Sequence, residues 1–86
     1  MNLPCSAVYP NPTNSDLVFL ETGDDTDLSD YSLFLVDTNG KYIPIQYSIA
    51  SKRLAVDMTG VVNGVYVIMI KDEAGKVVFS QKLIRM

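Results

Sequence analysis

The chain has 86 residues, a net charge of −3, and 48% hydrophobic and 9% aromatic content. That supports one compact core at the lower end of independent folding, and no apolar run reaches the roughly 18 residues that a membrane-spanning helix needs. The acidic balance and the lack of a basic patch interleaved with aromatics argue against nucleic acid, and the absence of histidine removes Ser-His and Cys-His nucleophile pairs.

The opening residues, Met1-Asn2-Leu3-Pro4, carry no basic head and no apolar core, so no signal peptide is expected in them. Residues 1–6 read as a linker or lead-in to a domain over residues 7–86. Cys5 stands alone, which leaves no internal disulfide and no cysteine metal cluster. Residues 7–9 fit a short edge strand. Pro10-Asn11-Pro12 then fixes two φ angles and removes two backbone donors, which suits a corner and excludes a central strand. Residues 16–21 form a second strand, apolar in its centre.

Residues 22–30 read as a polar, acidic loop. Asp24, Asp25, Asp27 and Asp30 are the carboxylate cluster that would best suit calcium. Their spacing lacks the central glycine and late glutamate of an EF-hand loop, so a solvated loop without metal is expected. Residues 31–37 form the third strand and run into Asn39-Gly40, a strong hairpin signal. Residues 42–49 return as a fourth strand, with Ile43, Ile45, Tyr47 and Ile49 expected inward and Pro44 confining it to an edge or a bulge. Residues 53–58 place Leu54, Val56 and Met58 inward.

The densest apolar run, Val65 through Ile70, follows Asn63-Gly64 and ends at Lys71. An unbroken run of this length reads as a central strand buried on both faces. Tyr66 is expected to turn its ring inward and hydrogen-bond its hydroxyl, as a tyrosine corner does. Gly75 supplies positive φ for a hairpin turn over residues 72–76. The last strand, residues 77–84, sets Val77, Phe79 and Leu83 inward against Ser80 and Lys82. About seven short strands separated by turn chemistry predict an all-β fold, an immunoglobulin-like antiparallel Greek-key sandwich.

The order of these motifs carries a resemblance. Val8-Tyr9-Pro10-Asn11-Pro12 comes first, then Tyr31-Ser32-Leu33-Phe34-Leu35-Val36-Asp37 with Asn39-Gly40-Lys41. Val56-Asp57-Met58 with Asn63-Gly64-Val65-Tyr66 follows, and Gly75-Lys76-Val77-Val78 with Lys82 closes the series. Across residues 7–85 the chain resembles the C-terminal sorting domain of the type IX (Por) secretion system of Bacteroidota. The resemblance implies a non-catalytic signal that directs an exported cargo through the periplasm to the outer-membrane surface. It implies two partners, the outer-membrane secretion machinery and a sortase-like cysteine protease, and no cofactor. Carried over by position, the sorting motif comprises Pro10, Asn11, Pro12, Gly40, Lys41, Gly64, Val65, Tyr66, Gly75, Lys76, Lys82 and Arg85.

Read from the residues alone, an immunoglobulin-like structural or adhesion module of a secreted or surface protein stays open as the alternative. An unprotected edge strand would also allow self-association. Lys82 and Arg85 are expected to be exposed and without a folding role, so replacing both with alanine should leave the domain folded. Tyr66→Ala and Val67→Asp should unfold it.

Overall fold

Period-two alternation over short segments builds strands, and in the computed structural model, which describes residues 5–22, 29–50 and 53–86, every regular element is a strand. They are β1 (Cys5–Tyr9), β2 (Leu17–Thr22), β3 (Ser32–Asp37), β4 (Tyr42–Ile43), β5 (Gln46–Ala50), β6 (Arg53–Asp57), β7 (Gly64–Lys71) and β8 (Val77–Arg85). Two antiparallel sheets, β1-β2-β6-β5 and β4-β3-β7-β8, form the sandwich, in the strand order of immunoglobulin domains. β1 begins at Cys5, opposite Thr22 and two residues ahead of the expected edge strand. The acidic segment expected between the second and third strands falls largely on residues 23–28, outside the described residues. Among the described residues, no group of three His, Cys, Asp or Glu side chains is placed to hold a metal.

The core is what the alternation dictates. Val18 and Leu20 of β2, with Leu54 and Val56 of β6 and Met58 beyond it, face Leu33 and Leu35 of β3 and Ile68 and Ile70 of β7, all buried. The expected inward set on β6 is therefore met in full.

Three expectations are corrected. The segment over residues 42–49 is not one strand but two, β4 in one sheet and β5 in the other. Pro44 has no amide to donate to a ladder, and the chain changes sheets there. Ile43 and Ile45 pack against the core as expected. Tyr47 and Ile49 lie opposite Val56 and Leu54 on the core side, but at the sheet edge they stay 36% and 42% exposed.

Second, β7 is not buried on both faces. Tyr66, Ile68 and Ile70 are buried, whereas Val65 and Val67 are 40% and 37% exposed. A two-layer sandwich covers only one face of each sheet, so an interior strand with neighbours on both sides still shows its other face to solvent. That outer face is apolar across its width: Phe34 and Val36 lie across from Met69 and Val67, Tyr42 across from Val36, and Ile84 across from Val65.

Third, the inward residue at the start of β8 is Val78, with Val77 43% exposed. A register shift between Ile70 and Lys71 sets Phe79 against Ile70 and Val77 against Lys71, which inserts an extra residue and changes the phase of β8.

The β3–β4 and β7–β8 turns are copies of one another. Asp37 Oδ1 accepts the amides of Asn39 and Lys41 at 2.9 Å each, and Asp72 Oδ1 accepts those of Ala74 and Lys76 at 3.0 and 2.9 Å. In both, the glycine amide donates to the aspartate carbonyl and the glycine sits in the left-handed region, Gly40 at φ 81° and Gly75 at φ 84°. Asp57 accepts the Thr59 amide in the same manner (2.9 Å), and the Thr59 hydroxyl and amide together hold the Asp57 carboxyl below its ordinary value.

Candidate functional site

Proline cannot donate, so Pro10-Asn11-Pro12 keeps a single backbone amide, and its bonds to β8 come from the Asn11 side chain. Its Nδ2 donates to the Lys82 carbonyl at 2.8 Å, and its Oδ1 accepts the Ile84 amide at 3.1 Å. One carboxamide thus makes the two bonds that a neighbouring strand would make to β8. Thr13 continues the pairing with its backbone: its amide donates to the Ile84 carbonyl at 2.8 Å, and its carbonyl accepts the Met86 amide at 2.7 Å. Thr13 is fully buried, the one buried polar residue among the described residues, and its hydroxyl accepts the Ser15 amide at 3.1 Å. The chain leaves β1 in one sheet and closes the outer edge of β8 in the other.

Asn11→Ala removes both side-chain bonds, and Asn11→Asp keeps the acceptor but faces the Lys82 carbonyl with a carboxylate. Each substitution is expected to lower stability by about 1–2 kcal/mol, or roughly 5–15 °C in melting temperature. Amide exchange at Ile84 should quicken in Asn11→Ala and stay slow in Asn11→Asp, which separates the two bonds.

Arg85 occupies the same corner and is not the free cation expected from the sequence. Its side chain is 10% exposed. Nε donates to the Val61 carbonyl at 3.3 Å, Nη1 donates to the Ser15 carbonyl, and Nη2 pairs with Asp16 Oδ1 at 3.0 Å. The planar fork of guanidinium is what lets one side chain tie the entry to β2, the loop before β7 and the end of β8 together. Lys82 differs: its side chain is exposed, directly across from Val67 on the outer sheet face.

Tyr66 completes the corner. Its ring is 4% exposed, and its hydroxyl donates to the Val62 carbonyl four residues upstream at 2.5 Å, the tyrosine corner expected from the sequence. The ring lies over Gly64, where a Cβ would meet it at 3.6 Å, an ordinary contact. Gly64 is therefore not demanded by its backbone, unlike Gly40 and Gly75.

The structure thus brings Pro10, Asn11, Pro12, Gly64, Tyr66 and Arg85 together around the end of β8. Gly40-Lys41 lies at that end of the sheet, beyond β3, and Gly75-Lys76 lies at the opposite end. Val65 and Lys82 belong to the outer face. Sequence reasoning missed the bridging role of Asn11 and the anchoring role of Arg85. Neither has a local signal, since their partners lie 24 to 73 residues away along the chain.

A model of the secretion system C-terminal sorting domain matches residues 7–85. The chain belongs to that family, the type IX secretion sorting domains. These sorting domains mark proteins exported to the cell surface or extracellular space, and they act with the secretion machinery. Among solved structures, the crystal structure of the Lin-41 filamin domain is similar in fold, with a TM-score of 0.60 and 12% identity over 99% of this chain and 98% of that one. At that identity the likeness is one of architecture. No curated protein matches the chain.

Proposed function

We propose that this sandwich acts as a non-catalytic sorting signal that carries an exported cargo through the type IX system to the outer-membrane surface, with a lead-in that ends where β1 begins at Cys5 rather than at residue 6. The observation that carries this reading is the family match over residues 7–85. The partners are the outer-membrane translocation machinery, which reads the folded domain, and a sortase-like cysteine protease, which removes it. Pairing with a second copy belongs to β5, whose edge residues Gln46–Ala50 include no charge and no proline. The alternative, a surface adhesion or spacer module, is not favoured over the sorting role by any feature of the described residues.

The test is export. A fluorescent reporter fused ahead of this chain, in a Bacteroidota strain with a working type IX system, should reach the cell surface. The same reporter without the chain should stay in the periplasm. A fusion that folds but remains periplasmic would leave the adhesion reading in its place.

A further inference from the structure

The run that is apolar on both sides covers the core with one face only. Its other face lies at the centre of an exposed apolar surface, where Val65 and Val67 are 40% and 37% exposed and Tyr42 is 53% exposed. The charges on that surface are of one sign. Lys82 stands across from Val67, and Lys71 closes the stripe at the far end of β7. The remaining outward positions on these strands carry no carboxylate; Ser32 and Ser80 are their polar residues. This is unexpected in a chain with ten acids and seven bases. The outer face of the other sheet, by contrast, mixes Glu21 and Asp57 with Arg53.

Lys71 is also held in place. Its ammonium donates to the Tyr42 hydroxyl at 3.1 Å and sits 4.9 Å from the centre of the Phe34 ring. The cation at this rim is therefore oriented before any partner arrives, which lowers the ordering cost of binding.

We propose that this face is the surface by which the domain is read, and that it docks on a protein surface of the secretion machinery that is apolar at its centre and carries carboxylates where Lys71 and Lys82 meet it. The inference rests on the sorting reading and adds the face and the chemistry of the partner. Charge decides the occupant. A second copy laid on this face would set lysine against lysine, whereas an acidic rim satisfies both. A bilayer is disfavoured, because the face carries only the two lysines Lys71 and Lys82 to meet anionic headgroups, belongs to a flat sheet rather than an amphipathic helix, and the chain has no tryptophan to insert. A flat apolar centre with a charged rim is the anatomy of a protein interface.

The experiment compares Val67→Asp and Lys82→Glu on this face with Ser48→Glu on the opposite sheet, in the reporter fusion and as purified domains. All three sites are exposed, so melting temperatures should stay within about 5 °C of the parent. Surface display should fall at least about tenfold for the two face variants and stay at the parental level for Ser48→Glu. If Val67→Asp unfolds, Val67→Ser with Lys82→Glu makes the same comparison. Parental display with undiminished display of the face variants overturns this inference and leaves the sorting role standing. Failure of the parent itself overturns the sorting role instead. Two further results would replace the partner: flotation with vesicles of anionic phospholipid that Lys82→Glu abolishes, or a concentration-dependent rise above 9.5 kDa in sedimentation that Val67→Asp abolishes.

Discussion

Arg85→Ala is expected to lower the melting temperature by roughly 10–20 °C, and Lys82→Ala to leave it unchanged within error. The two residues are both basic and three positions apart, yet one is an anchor and the other a solvated side chain. Arg85 is 10% exposed and reaches two backbone carbonyls, of Val61 and Ser15, as well as Asp16. Removing it withdraws a charged donor from both carbonyls, a loss of about 2–3 kcal/mol in total. The ion pair itself adds little to this, because Asp16 is 68% exposed and its charge is screened by water. Asp16→Ala should therefore fall well short of Arg85→Ala. Arg85→Lys keeps the charge but not the fork, and should recover only a part of the loss. Thermal melts of the four single variants decide the matter. Equal melting temperatures for Arg85→Ala and Lys82→Ala would mean that the corner is not held as described. For an export assay, an alanine pair at positions 82 and 85 would mix a folding defect with any effect on the proposed docking face, and only the single Lys82 substitution would test that face by itself.

Tyr66→Ala is expected to be the most destabilising of these substitutions, with a loss of about 3–5 kcal/mol against a total stability of roughly 4–13 kcal/mol for a chain of this length. The ring is 4% exposed at the start of an interior strand, and truncation leaves a cavity beneath Gly64 and across from Leu83. Tyr66→Phe separates ring from hydroxyl. It forfeits the bond to the Val62 carbonyl and should cost about 1 kcal/mol while the fold persists. Denaturant titration should then show a midpoint lowered several times further in the alanine variant than in the phenylalanine variant. Val67→Asp, one residue along, should remain folded, because its side chain faces outward at 37% exposure. The contrast between adjacent positions is the period of a strand expressed in stability.

Much of the fold was legible in local pattern. The turns were, since Asn39-Gly40 and the glycine at position 75 each answer a local demand for positive φ that no long-range contact alters. The alternation of Leu54, Val56 and Met58 was, because period two and one buried face leave a single consistent orientation. The phase of β8 was not, as a register shift against β7 is invisible in either strand alone. Of the candidate site, the twelve motif positions were named in advance but not sorted. Which of them hold the corner and which face solvent depends on partners brought close by the fold.

The amino-acid sequence by itself determined the fold class, the turn positions and the family, because each is written in short-range periodicity and in the order of motifs along the chain. Only the tertiary structure decided which face of β7 is covered, that Arg85 is an anchor, and that Asn11 stands in for a missing strand at the edge of β8. The physical reason is common to all three. Hydrophobicity says that a residue can be buried and charge says that it can be solvated, but whether either happens is set by what the rest of the chain places against it.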